Sequence, residues 1–204
     1  MLKGIFSFIG LTVFCANAWA QEKTLVFLGD SLTAGFGLAE DASFPSQIEE
    51  RLKAEGMGWK VVNAGVSGDT TSGGLKRLPW VMKSKPDAVF VALGSNDGLR
   101  GLDPAVSKAN LENIVRSLKK SGVRVILAGA QLPVNYGGDY RDAFSKIYPA
   151  LAKREKVPLY PFLLEGVAMN PRMNLPDGLH PNEEGQKVIA ENVFKFLKPI
   201  LWQK

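Results

Sequence analysis

The sequence predicts an α/β protein: a flavodoxin-like, five-stranded parallel sheet in the order 2-1-3-4-5, with helices on both faces in three α/β/α layers. Two observations carry this. Short apolar runs alternate with amphipathic segments along almost the whole chain, the pattern of strands joined by helical crossovers. The apolar runs also lack the polar alternation of half-exposed strands, as expected for parallel strands covered on both faces. Right-handed crossovers then leave few arrangements, and 204 residues suit one domain with a full-sized core.

The elements follow in order. Leu25-Val26-Phe27-Leu28 reads as the first buried strand, broken by the small polar turn Gly29-Asp30-Ser31. Asp41 to Pro45 reads as a helix start with proline near the first turn, and Ile48 and Leu52 continue it toward Gly56 and Gly58. Trp59 to Asn63 is a second short strand, followed by a small, polar loop from Ala64 to Thr71. A helix is expected through Leu75, Leu78, Val81 and Met82. Asp87 to Leu93 is the third strand and ends in Gly94-Ser95-Asn96-Asp97. Asp103-Pro104 caps a helix with Leu111, Ile114, Val115 and Leu118 on one face, ending at Gly122. Val123 to Ala128 is the fourth strand, and a helix is expected from about Tyr140 to Glu155. Pro158 to Tyr160 forms a short fifth strand. A long irregular segment then leads to Asp177-Gly178-Leu179-His180-Pro181-Asn182, and the last helix is expected from Glu183 to Leu197.

The first twenty residues read as a cleavable leader. Lys3 supplies a positive start, Ile5 to Cys15 is largely apolar, and Ala18-Trp19-Ala20 has the small-x-small form of a signal-peptidase site. Cleavage after Ala20 leaves residues 21–204 as the mature domain, periplasmic or secreted. The alternative, an uncleaved membrane anchor, is disfavoured because the apolar run is shorter than the roughly 20 residues a span needs, and no stable membrane insertion is expected after cleavage. The leader takes one lysine and no acid, so the net charge falls from +5 to +4. That mild, scattered basicity points to a solvated surface and to no nucleic-acid partner. No heptad pattern is visible, and a monomer is expected.

The mature part holds one histidine, His180, and no cysteine, which excludes His/Cys zinc sites. Four polar clusters fall in loops that the sheet would gather at one edge: Asp30-Ser31, Ser67-Gly68-Asp69, Ser95-Asn96-Asp97 and Asp177 to His180. Each alone is ordinary turn material. In open α/β sheets, however, ligands bind at the carboxyl ends of the strands, where strand order reverses. There the clusters supply every part that acyl transfer needs. Ser31 is a nucleophile if a base takes its proton, and His180 is that base if a carboxylate orients it. Asp177, three residues before it, is the best carboxylate on spacing. The Gly68 N–H, the Asn96 amide and the Ser31 N–H are candidate donors to an oxyanion.

Gly-Asp-Ser-Leu at residues 29–32, Gly68, Gly94-Ser-Asn-Asp97 and Asp177-Gly-Leu-His180-Pro resemble, in order and spacing, the four blocks of the SGNH, or GDSL, hydrolase superfamily. The resemblance runs from about Thr24 to Leu197. Narrower stretches, Asn96 to Gly101, Leu132-Pro133-x-Asn135-Tyr136-Gly137 and Phe144-Ser145-x-Ile147-Tyr148-Pro149, are similar to the periplasmic acyl-CoA thioesterase I/lysophospholipase group of Gram-negative bacteria, also known as arylesterases. The resemblance implies the SGNH hydrolase fold. It implies Ser31 as nucleophile, Asp177 and His180 completing a triad, Ser31, Gly68 and Asn96 in the oxyanion hole, and no metal or cofactor. One departure is Ser95, where that group often has a second glycine; serine tolerates positive φ less well, so a different loop conformation is expected.

By the same resemblance, Asp97, Leu99, Leu102, Leu132, Pro133 and Tyr136 line an acyl groove, with Val134 beside them. The alternative is that these side chains pack onto the domain's own helices. An open groove suits an acyl ester or thioester as the small-molecule substrate. A carbohydrate or aryl-ester esterase and acyl transfer to an alcohol stay open on sequence grounds; a non-catalytic acyl-binding module is the further alternative, disfavoured because the full set Ser31, Gly68, Asn96, Asp177 and His180 is present.

Overall fold

Strand β1 (Lys23–Gly29) is central and pairs in parallel with β2 (Trp59–Gly65) on one side and β3 (Ala88–Ala92) on the other. Strands β4 (Arg124–Ala128) and β5 (Leu159–Tyr160) extend the sheet, giving the expected order β2-β1-β3-β4-β5. The computed structural model describes residues 22–202, and the expected leader lies outside them.

Successive residues of β1 point to opposite faces, so one strand serves two cores. Leu25 and Phe27 join Phe44, Ile48, Phe90, Ile189 and Val193 on one side. Val26 and Leu28 join Val89, Val91, Leu111, Ile114, Leu118 and Leu151 on the other. The first core is closed by α2 (Phe44–Ala54) and α9 (Glu183–Leu201), which follows α1 (Ser31–Ala34) and the crossovers in chain order. The second is closed by α3 (Thr71–Lys76), α4 (Leu78–Val81), α6 (Pro104–Lys120) and α8 (Ile147–Glu155). Two further short helices, α5 (Ser95–Leu99) and α7 (Gly138–Ser145), stand at the carboxyl edge of the sheet.

Three helices depart from expectation, each at a proline. The helix through Leu75 and Val81 is broken at Arg77, because Pro79 lacks an N–H and its ring crowds the carbonyl four residues back. Pro149 divides the helix from Tyr140 to Glu155 in the same way, into α7 and α8. Conversely, α9 runs past Leu197 and through Pro199. Burial of Leu201, and an Arg124 guanidinium donating to the Ile200 carbonyl, hold that last turn in place.

Candidate active site

The turn after β1 is built by Asp30. Its Oδ1 accepts the Leu32 N–H at 3.0 Å, which caps α1 and starts a helix at Ser31 directly off the strand end. The Gly29 carbonyl accepts the Val66 N–H at 3.1 Å and an Arg77 Nη2–H at 2.8 Å, so the β1 turn and the loop after β2 are fastened together.

The loop before α9 carries the imidazole. Asp177 Oδ1 accepts the N–H groups of Leu179 and His180 at 2.9 and 3.0 Å, which curls the chain back on itself. Asp177 Oδ2 is then left 2.7 Å from His180 Nδ1, and His180 Nε2 lies 3.0 Å from Ser31 Oγ. The His180 carbonyl accepts the Leu175 N–H at 2.7 Å, and Asn182 caps α9, so both ends of the loop are fixed. The Phe36 ring lies against the imidazole with centroids 4.4 Å apart. The donated N–H of His180, the imidazole and the Leu179 N–H together hold the Asp177 carboxyl down at about 2. Burial works the other way on Asp30, pushing its carboxyl up to about 6 against the opposing pull of the Leu32 N–H and His180.

The third component is the loop around Gly68. Gly68 sits at φ +78°, a left-handed conformation that only glycine adopts without strain. Arg100 Nη2 donates to the Gly68 carbonyl at 2.9 Å, and Asn96 Nδ2 donates to the Asp69 carbonyl at 3.0 Å. Arg77 Nε meets Asp69 Oδ2 at 2.6 Å in a pair that is largely shielded from water. Ser31, Gly68, Asn96, Asp177 and His180 therefore belong to one hydrogen-bonded neighbourhood drawn from four loops. At the Ser95 departure, positive φ falls on Gly94, at +117°, and Ser95 is already the first residue of α5.

A cleft of about 370 Å³ opens beside Ser31 and His180. Of the expected groove residues, Leu99, Leu132 and Pro133 line it, and so does Val134. Three do not. Asp97 is buried, with its carboxylate accepting from Thr71 N and Oγ1 at 2.8 and 2.5 Å and from Ser107 Oγ at 3.1 Å, so it braces α5 against α3 and α6. Tyr136 turns its hydroxyl onto the Leu99 carbonyl at 3.0 Å and packs its ring against the core. Leu102 lies outside the cleft, where its carbonyl accepts from Tyr140.

The far wall of the cleft comes from residues the sequence reading left in an irregular segment: Phe162, Leu164, Ala168 and Met169, joined by Leu179. A signal was present, since these apolar residues follow β5 at the same sheet edge that identified the other loops. Leu179 sat within the Asp-Gly-Leu-His block itself.

A family model described as "GDSL-like Lipase/Acylhydrolase family" matches residues 27–188. An arylesterase of Vibrio mimicus is 45% identical over 183 residues, covering 88% of this chain and 91% of its own. The protein from Escherichia coli strain K12 named thioesterase 1/protease 1/lysophospholipase L1 is 41% identical over 197 residues, covering 96% of this chain and 92% of its own. The crystal structure of TesA superposes with a TM-score of 0.84 at 44% identity, covering 87% of this chain and 99% of that one. The chain belongs to the GDSL-like lipase/acylhydrolase family, and to its ester and thioester hydrolases.

Proposed function

We propose that this protein hydrolyses fatty-acyl thioesters and carboxylic esters, lysophospholipids among them, through a Ser31-His180-Asp177 triad and an acyl-enzyme intermediate. The single observation that carries the reading is the unbroken chain from Ser31 Oγ through the imidazole to Asp177, at 3.0 and 2.7 Å. In the first half-reaction His180 Nε2 takes the Ser31 hydroxyl proton as Oγ attacks the acyl carbon. The Nδ1–H stays donated to Asp177, whose strongly acidic carboxyl remains ionised and supports the imidazolium. His180 then returns the proton to the departing alcohol or thiol. Water, activated by the same imidazole, releases the acid in the second half-reaction.

The tetrahedral oxyanion is received by the Ser31 N–H, the Gly68 N–H and the Asn96 amide N–H that otherwise makes only the long, 3.4 Å contact with Asp30 Oδ2 and exchanges it for the oxyanion. Holding Asn96 on the Asp69 carbonyl fixes that amide before substrate arrives, so little reorganisation is needed in the transition state. The largely apolar cleft suits an acyl chain, and the names of the arylesterase and thioesterase/lysophospholipase relatives support the same substrate range. No metal or cofactor takes part in this chemistry. Exported after cleavage at Ala20, residues 21–204 act in the periplasm or outside the cell, as a monomer. Among the described residues no helix is long and apolar enough to cross a membrane.

Two experiments test the reading. An organophosphonate should label Ser31 in the purified mature chain, with labelling lost in Ser31→Ala and suppressed in His180→Ala. Label retained in Ser31→Ala would remove Ser31 from the mechanism. Parallel acyl-CoA and aryl-ester series should show turnover extending to medium and long chains, whereas activity confined to acetyl esters would overturn the fatty-acyl assignment.

A further inference from the structure

We infer that Arg141 is an anion-recognition residue in the wall of the acyl cleft. Its ligand would be an anionic group carried by the substrate itself, either a carboxylate on the acyl chain or a phosphate on the leaving group. The inference rests on the proposed function only in taking the cleft as the place where substrate binds.

Among the described residues lining the cleft, Arg141 is the one lysine or arginine, and most of the others are apolar. Its guanidinium is tethered at one point: Nε donates to the Leu132 carbonyl at 3.3 Å, on the loop that also supplies Leu132 and Pro133 to the wall. That single anchor leaves both Nη groups without a protein partner among the described residues, and no carboxylate lies within ion-pair distance. A guanidinium is planar, and its two unpartnered Nη groups can meet a carboxylate or phosphate bidentately.

Position adds to this. Arg141 also lines a second, smaller hollow of about 260 Å³, together with Ala130, Gln131 and Leu132, so it stands where the two spaces meet. Asp142 faces that hollow but is absent from the cleft wall, and its charge disfavours an anion on the hollow side, whereas the one carboxylate on the cleft lining, Asp30, is buried beside Ser31. The favoured anion position is therefore in the cleft. Ser31 follows β1 and the Leu132 loop follows β4, two strand spacings away in the sheet. At about 4.8 Å per spacing the two strand ends are roughly 10 Å apart, so Arg141 stands along the cleft from the reacting carbonyl rather than at it.

The test compares matched substrate pairs with wild type, Arg141→Gln and Arg141→Lys. One pair is an aryl dodecanoate and the aryl monoester of dodecanedioic acid. The other is monopalmitoyl glycerol and the lysophosphatidate of the same chain. In Arg141→Gln the anionic-to-neutral ratio of kcat/KM should fall about tenfold in at least one pair, the loss expected for one charge-assisted contact. It should enter through KM, and Arg141→Lys should restore part of it. The pair that responds identifies the source, carboxylate or phosphate. In wild type, added salt should raise KM for the responding anionic substrate more than for its neutral partner. Ratios unchanged in both pairs, or anionic and neutral substrates losing equally, would overturn the inference while neutral-ester turnover leaves the proposed function standing. Absence of turnover by wild type on every substrate would overturn both.

Discussion

Asp30 and Asn96 face each other across the point where strand order reverses, with Asp30 Oδ2 3.4 Å from Asn96 Nδ2. The pair ties the turn that carries Ser31 to the first turn of α5. Asp30 by itself sets a pH dependence, because it is 1% exposed and burial raises its carboxyl from 3.8 to about 6. Between those values the folded chain keeps a proton that the unfolded chain has released. Stability must then fall as pH rises through this window and stay level above it, by on the order of 3 kcal/mol for a shift from 3.8 to about 6. Asp30→Asn removes the titration while keeping an oxygen to cap α1. Urea unfolding should show the variant gaining on wild type between about pH 4 and pH 7. A stability difference that does not vary with pH would show that Asp30 ionises as freely in the fold as outside it.

Asp177 behaves oppositely. Its carboxyl is held down at about 2, so its favourable contribution is present above 3.8 and lost as pH falls toward 2. The Asp177→Asn variant keeps an oxygen for the Leu179 and His180 N–H groups, so the loop should survive. Its amide, however, would donate toward His180 Nδ1 and hold the ring in the tautomer that cannot accept the serine proton. Turnover should fall by roughly 10³–10⁴ with little change in KM. Steady-state kinetics on one aryl ester, beside a circular dichroism melt, separate lost chemistry from lost fold.

How far all this was readable from the sequence depends on the range of the interactions. Strand order and the loops bearing Ser31, Gly68, Asn96 and Asp177 to His180 follow from local patterns plus one chirality rule. The broken helices were missed although Pro79 and Pro149 were in plain view, because apolar periodicity continues across each break. The far wall of the cleft was missed for a different reason. Phe162 to Met169 has no regular period, and its placement is decided by what it meets after β5. Nor does any spacing rule connect Arg77 to Asp69 and to the Gly29 carbonyl.

Arg77 is where that unread layer is most exposed to experiment. Its fork holds the Asp69 carboxylate at 2.6 Å and the Gly29 carbonyl at 2.8 Å, while the Asp69 carbonyl holds Asn96. Arg77→Met leaves a shielded carboxylate supported by the Thr70 N–H alone, at 3.1 Å. The variant should lose about 3–5 kcal/mol of stability. The double variant Asp69→Asn with Arg77→Met should recover part of that loss, since no buried charge is then stranded. If the double variant is as unstable as Arg77→Met alone, the stranded charge is not the cause.

Asp97 offers the sharpest contrast between a motif position and what that position does. The Gly-Ser-Asn-Asp block placed it beside Asn96 and suggested a groove residue, yet its carboxylate is spent on Thr71 N, Thr71 Oγ1 and Ser107 Oγ. The reason is helical geometry. Adjacent residues of α5 point about 100° apart, so when Asn96 faces the Gly68 loop, Asp97 faces the interior between α3 and α6. Asp97→Ala should cost about 2–4 kcal/mol, because three buried donors lose their acceptor. Acyl-chain-length preference should stay where it is. Leu132→Ala, which enlarges the cleft at a residue only 8% exposed, should move that preference toward longer or bulkier chains. The two substitutions, profiled on one ester series with melting temperatures alongside, separate support from specificity. A changed chain-length profile in Asp97→Ala at undiminished stability would return Asp97 to the groove.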